Sequence, residues 1–340
     1  MNLDARSALA ARLLQDPGVS AQVTERFFAR HPDWSARYGA LGRQRCTEDG
    51  HFHLSCLAGA VQVGRAETFV TYALWVADML AARAIDRTHL VEYFDLLLEQ
   101  LGLEGEEQRI VAEIIIAART ALLVPMARTA LPAEDGLPLK QAYLSAALAG
   151  HSSAAWAVTR DALRQGMSMR QLYREVLIQG QLRLGELWAA AKITVAQEHI
   201  ASAVTQSVIA RLYPELPRER CQLGRALMTG VEGELHGLPA QLASDLLEME
   251  GWDVKYIGPH IPESCIQAII EQEQPDVLCL SATMPFSLPR TIGVACSLRQ
   301  RFKTLRIVLG GRALAGVSGL AELGIEVDAA GDLSPLRPPA

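Results

Sequence analysis

The stretch Val231-Glu232-Gly233-Glu234-Leu235-His236-Gly237-Leu238-Pro239 decides how the C-terminal third of this chain is read. Ahead of it lies the short apolar run Arg225–Val231, and behind it residues 238–250 carry helical spacing. The same alternation continues. Val254–Ile257, Asp276–Ala282 and Arg306–Leu309 read as strands, 262–273 and 291–302 as the helices between them, and Ile325-Glu326-Val327 as a fifth strand. Strands alternating with helices predict a Rossmann-like, doubly wound parallel sheet over 221–335. Such sheets bind ligands beyond the carboxyl ends of their strands, which is where the quoted loop falls.

The loop lacks G-x-G-x-x-G and has no P-loop lysine, so it carries no nucleotide fingerprint. It offers an imidazole, His236, with a carboxylate, Glu234, two residues earlier. A carboxylate that takes one ring N–H fixes the tautomer and makes the other nitrogen more basic, which is how metal-ligating histidines are built.

Upstream, four helix-length segments (138–149, 152–165, 168–190 and 195–213) are joined by short turns, which predicts an antiparallel four-helix bundle. Thr194 with Gln197 three residues on forms a capping box at the start of the last helix. The proline- and acid-containing stretch 131–138 is the expected linker. Residues 1–131 read as helix throughout, with breaks expected at Asp16-Pro17-Gly18, His31-Pro32-Asp33, Glu48-Asp49-Gly50 and Gly102–Gly105. The fold class is therefore α plus α/β: an N-terminal all-helical domain, a bundle and a parallel-sheet domain.

Half of the 340 residues are hydrophobic and 21% are charged, which excludes a disordered chain. A net charge of −6 and the absence of a basic recognition helix argue against nucleic-acid binding. The six cysteines show no C-x-x-C pair, as expected of reduced thiols in the cytoplasm. No signal peptide is expected, and the apolar run Ile110–Val124, broken by Glu113 and Arg119, is too short for a membrane span.

The C-terminal spacing resembles the cobalamin-binding domain family, whose pattern is D-x-H-x-x-G, about 41 residues, S-x-L or S-x-T, about 26–28 residues, then G-G. Here Glu234-x-His236-Gly237-x-Pro239 is followed by 41 residues, then Ser281-Ala282-Thr283, and 26 more lead to Gly310-Gly311. The resemblance implies that His236 takes the lower face of the cobalt. It also implies that the displaced nucleotide tail lies against Ser281, Thr283 and the glycine pair. Glu234 stands in place of Asp, and Pro239 in place of the final Gly.

The bundle carries Trp188, nine residues, then Glu198-His199. This resembles the W-x9-E-H cap of CarH-type light-sensing cobalamin proteins, which bind adenosylcobalamin. The resemblance implies that Trp188 packs on the adenosyl group and that Glu198 and His199 line its ribose side. It further implies a photoreceptor, not an enzyme, in which loss of the upper ligand moves the bundle. In those relatives a histidine follows the tryptophan and takes the cobalt after light. Here Ala189 stands there, which leaves His199 or water for that role.

The N-terminal domain stands where those relatives carry a DNA-binding domain. An all-helical domain so joined resembles the photocobilins, which hold a bilin such as biliverdin in a globin-like or phycobiliprotein-like domain. On that resemblance Arg45, Asp49, His51, His53, Tyr72 and Trp75 are candidate bilin contacts. A haem held by His51, His53 or His89, and a ligand-free dimerisation domain, stay open beside it. Signalling would pass through a second copy or another protein. The other function considered is a corrinoid methyl carrier partnering a methyltransferase.

Overall fold

The computed structural model describes residues 3–15, 18–124, 138–218, 223–315, 317, 320–328 and 333–336. It divides into two compact units. One comprises Met1–Met126, Ala282–Lys303 and Arg312–Ala329, the other Ala127–Ser281, Thr304–Gly311 and Ala330–Ala340. Apart from Pro138, the expected linker at 131–138 lies outside the described residues.

The first unit opens with six helices: α1 (Leu3–Gln15), α2 (Val19–Arg30), α3 (Pro32–Val63), α4 (Ala66–Ala81), α5 (Arg87–Gln100) and α6 (Gly105–Leu123). Leu57, Phe69, Phe94, Leu97 and Ile115 are fully buried at its centre. The breaks at His31-Pro32 and Gly102–Gly105 are present, but the one expected at Glu48-Asp49-Gly50 is not, because α3 runs through it. Gly50 serves close packing there. A Cβ at this position would lie 2.4 Å from the Tyr93 hydroxyl and 2.8 Å from Ser20 Cβ. The departure from helical geometry in α3 falls instead at Gly39, with φ 58° and ψ −153°. Gly50→Ala is expected to destabilise this unit by roughly 1–3 kcal/mol through overpacking, measured as a lower urea midpoint in the full chain.

In the second unit the bundle consists of α7 (Pro138–Leu148), α8 (Ser152–Arg164), α9 (Met169–Gln171), α10 (Gln179–Ala189) and α11 (Val195–Leu212). α9 and α10 are one rod joined by a π-helical segment, Leu172–Ile178, which was read from the sequence as plain helix. Side-chain and backbone bonds between Thr194 and Gln197 complete the capping box that starts α11. Tyr143, Leu172, Tyr173 and Val208 fill the bundle's interior.

The sheet elements follow along the chain, α14 and β5 being counted with the first unit: β1 (Gly224–Thr229), α12 (Gly237–Met249), β2 (Trp252–Tyr256), α13 (Glu263–Glu273), β3 (Val277–Ser281), α14 (Leu288–Arg301), β4 (Arg306–Gly310) and β5 (Glu326–Asp328). Strand order is β2-β1-β3-β4-β5. The registered pairs β1–β2, β1–β3 and β3–β4 are parallel. Every residue of the central strand β3 is buried, as a parallel strand covered on both faces must be. The chain is thus helical in its first part and a Rossmann-like parallel sheet in its last.

Helix α12 joins sheet to bundle within the second unit. The Tyr173 hydroxyl donates to Asp245 Oδ2 at 2.8 Å, and Arg170 donates to the Met249 carbonyl at 2.9 Å. Tyr213 and Arg218 both donate to Glu248, at 3.0 and 2.6 Å. The helix whose first turn follows His236 is therefore tied at its far end to the bundle.

Candidate functional site

β1 ends at Thr229, and the loop after it is held by the loop after β2. Thr229 Oγ1 donates to the Gly258 carbonyl at 2.8 Å, and Val231 pairs with Ile261 in a parallel bridge. Backbone bonds run from Gly230 N to Gly258 O, from Ile261 N to Gly230 O and from Glu232 N to Ile261 O. Gly233 N donates to His260 Nδ1 at 2.9 Å.

On this frame Glu234 is buried, with its Cγ only 3.1 Å from where a Cβ on Gly230 would stand. Its Oε1 accepts from the His236 backbone N–H at 2.9 Å and lies 2.7 Å from His236 Nδ1. An ionised carboxylate can only accept, so Nδ1 carries the proton and Nε2 is left as a lone-pair donor. The hydrogen bond to Glu234, opposed by desolvation, raises the imidazole pKa, and Glu198 across on the bundle raises it further. Glu198 of α11 thus lies within electrostatic reach of His236 from the side of the bundle.

Gly237, the first residue of α12, has its carbonyl held by the Tyr256 hydroxyl at 2.8 Å. A Cβ there would meet that hydroxyl at 2.8 Å and Pro259 at 3.0 Å, so the position requires glycine. Pro239 sits in the first turn of α12, where its missing N–H removes no helical bond.

Ser281 ends β3 and pairs in register with Gly310 at the end of β4. The two glycines are there for different reasons. A Cβ on Gly310 would meet nothing within 4 Å, so its open side is a cradle at the strand ends. Gly311 has φ 109°, which favours glycine by conformation. Thr283 lies two residues past Ser281 and is half-buried.

The bundle contributes Glu198, whose charge reaches His236, and carries Trp188. Trp188 is half-buried in the last turn of α10, followed by Ala189, and the chain turns through Ala191 at φ 54° into α11. Glu198 Oε1 accepts from Ser202 Oγ at 2.8 Å, and Gln181 Oε1 lies 3.1 Å from the same hydroxyl. Gln181 and Tyr143 both donate to Thr205 Oγ1, at 2.8 and 2.9 Å. This chain of bonds, unread in the sequence, fixes the Glu198 carboxylate; the serine four residues after it on one helix face was the available signal. His199 is different: its side chain is 75% exposed and its Nδ1 engages Glu198.

A cobalamin fits these residues. Nε2 of His236 is free for cobalt, Gly310 leaves room for a tail, and large apolar side chains stand exposed nearby: Leu235 next to His236, and Val195 at the start of α11.

The six candidate bilin residues are spread over α3 and α4. His53 and Tyr72 are buried core groups, bonded to each other at 2.7 Å. Burial lowers the His53 pKa to about 3, so this imidazole stays neutral. His51 is exposed with Nδ1 on the Thr47 carbonyl. Arg45 and Asp49 are exposed along α3, and Trp75 is half-buried on α4. A cavity of about 190 Å³ in this unit is lined by Leu9, Arg12, Leu13, Leu54 and Leu101 among others, and by none of the six. It is also smaller than the ~300–1,000 Å³ usual for drug-sized ligands. Of the six, His53 and Tyr72 serve the core, as polar and aromatic groups at helical spacing often do.

Burial, only partly offset by the Tyr173 hydrogen bond, raises the Asp245 carboxyl to about 6. The folded chain therefore holds this proton more tightly than the unfolded one. Its charged form weakens the fold above pH 6, and that loss disappears as pH falls toward the ordinary aspartate value. Asp245→Asn keeps an acceptor for Tyr173 and removes the titration. Stability at pH 7 is expected to rise by up to about 3 kcal/mol, with the gain shrinking at pH 4, as read from urea unfolding.

Residues 139–213 and 224–330 each match a family model described as a B12 binding domain, and α1–α6 lie outside both. The trimethylamine corrinoid protein of Methanosarcina barkeri is 21% identical over 146 residues, 42% of this chain and 67% of that protein. The methionine synthase of Mycobacterium tuberculosis is 24% identical over 151 residues, 44% of this chain. The chain spans only 13% of that enzyme's length. The solved Methanosarcina barkeri monomethylamine corrinoid protein shares the fold, with a TM-score of 0.50 at 19% identity, over 57% of this chain and 95% of that one. Among the described residues no helix is long and apolar enough to cross a membrane.

Proposed function

The chain binds cobalamin through two B12 binding domains, and from that premise we propose that it is a corrinoid carrier. Cobalt is taken on its lower face by His236 Nε2. The observation that carries this is the buried Glu234 on His236 Nδ1, which fixes the tautomer and turns Nε2 into the ligand atom. Ser281, Thr283, Gly310 and Gly311 would hold the nucleotide tail at the strand ends. The bound cobalamin supplies an exchangeable group on its upper face, and the bundle would cover that face and yield it to a partner. Relatives are named a trimethylamine corrinoid protein and a methionine synthase, and in keeping with these names the leading reading is a methyl group passed to a methyltransferase partner.

A second reading rests on the cap. Glu198 is held by Ser202 and its charge reaches His236, and Trp188, a flat apolar ring, stands ten positions before it. A carboxylate has hydroxyls to bond on an adenosyl group and none on a methyl group. This favours adenosylcobalamin as the bound form, and on this reading light would be the event that removes its upper ligand. The bundle's answer would then pass to a second copy or to a signalling protein. With Ala189 after the tryptophan and His199 turned to Glu198 and solvent, water would take the vacated position on that reading.

One experiment separates them: titration of the cobalamin-free chain, in the dark, with methylcobalamin and with adenosylcobalamin. The carrier reading expects tight retention of the methyl form and poor retention of the adenosyl form. Preferential retention of the adenosyl form, with a permanent spectral change on illumination, would put the light sensor first. Retention of neither would remove both.

A further inference from the structure

Outside the two B12 binding domains, His31, His89 and Glu92 each bring a ligating atom within 4.8 Å of the others. His89 and Glu92 are three residues apart on α5 and share one face of it. His31 comes from the junction where α2 ends and α3 begins, fixed there by Pro32. His31 Nε2 lies 2.7 Å from Glu92 Oε2, and the two imidazole rings are 5.0 Å apart between centroids. All three residues are half-buried.

Two further features separate this trio from an ordinary surface ion pair. The rings are walled in: Phe27 lies 4.7 Å from His31, and Trp34 lies 4.5 Å from His89. Among the described residues no hydrogen bond is made by the His89 ring, although it faces the His31 imidazole edge-on. Arg30 takes the other oxygen of Glu92, Oε1, at 3.3 Å, which orients Oε2 toward the histidines.

We propose that His31, His89 and Glu92 form a site for one borderline divalent transition ion, of the Zn²⁺ class, separate from the cobalamin. Bonds of ~2.0–2.2 Å at tetrahedral angles place ligand atoms roughly 3.3–3.5 Å apart. The trio reaches this by small side-chain rotations, with the ion taking the place of the His31–Glu92 hydrogen bond. Two imidazoles and a carboxylate leave a fourth position for water. The ion would tie the α2–α3 junction to the start of α5.

The test uses the full chain, free of cobalamin and stripped with chelator. Zn²⁺ binding is measured by equilibrium dialysis, and thermal unfolding is followed with and without Zn²⁺, for the wild type, His89→Ala and Glu92→Gln. Expected are one Zn²⁺ per wild-type chain, a rise in its Tm with Zn²⁺, and affinity at least about tenfold weaker in each variant, with no Tm response. Glu92→Gln keeps the side-chain volume if His89→Ala does not fold. Equal Zn²⁺ retention by wild type and Glu92→Gln, as would follow from binding elsewhere in the chain, overturns the proposal. So does an absence of Zn²⁺ on the wild type.

Discussion

His236→Ala is expected to abolish the absorption signature of imidazole-ligated cobalt and to weaken cobalamin retention by more than about tenfold. The fold should survive the change. The imidazole is exposed, and Glu234 keeps its bond from the His236 backbone N–H, which alanine also has. What disappears is the one nitrogen in the loop whose partner nitrogen is already committed to a carboxylate. The missing side chain leaves a space of imidazole size beside Glu234. Imidazole added to the variant is therefore expected to restore part of the ligated spectrum, whereas a spectrum unchanged by the substitution would rule out His236 as the ligand.

Gly310→Leu is the second large effect. Its Cβ would enter space in which no protein atom lies within 4 Å, and its φ is one that other residues adopt. Stability should therefore change by no more than ~0.5 kcal/mol, as at ordinary surface positions. The same space is the cradle beside Ser281 assigned to the nucleotide tail. Cobalamin affinity is expected to fall at least a hundredfold, for which a loss of ~2.8 kcal/mol suffices. A corrinoid lacking the nucleotide should bind wild type and variant alike. If both ligands weaken together, the tail lies elsewhere.

The sheet domain was legible because its cues are local and agree with one another. Short β-branched runs, helices between them and a Glu-x-His loop at a strand end each pointed to one architecture, and the capping box at Thr194 marked α11 to the residue. Other features depend on contacts that no local pattern carries. Gly50 looks like a turn residue in the sequence, yet it is buried under Tyr93 because α3 passes its neighbours closely there. His53 and Tyr72 look like ligand-binding groups, yet they satisfy one another inside the core. The trio of His31, His89 and Glu92 could not be seen either, since 58 residues separate its first two members. At the candidate cobalamin site, the sequence singled out Glu234, His236, Ser281 and the glycine pair for their spacing. It did not reveal that Tyr256 and Pro259 dictate a glycine at 237, or that Ser202 sets the angle of Glu198.

The loop that carries His236 is laced to the segment 258–261 by bonds that need no cobalamin to form. Ordering a residue from a mobile loop costs about 1–2 kcal/mol in lost backbone freedom. A socket already rigid in the empty protein avoids that entropy loss at the moment of uptake, so more of the cobalt–imidazole attraction remains as affinity. On the proposed reading the histidine is preorganised, and uptake would require little rearrangement of the loop that carries it.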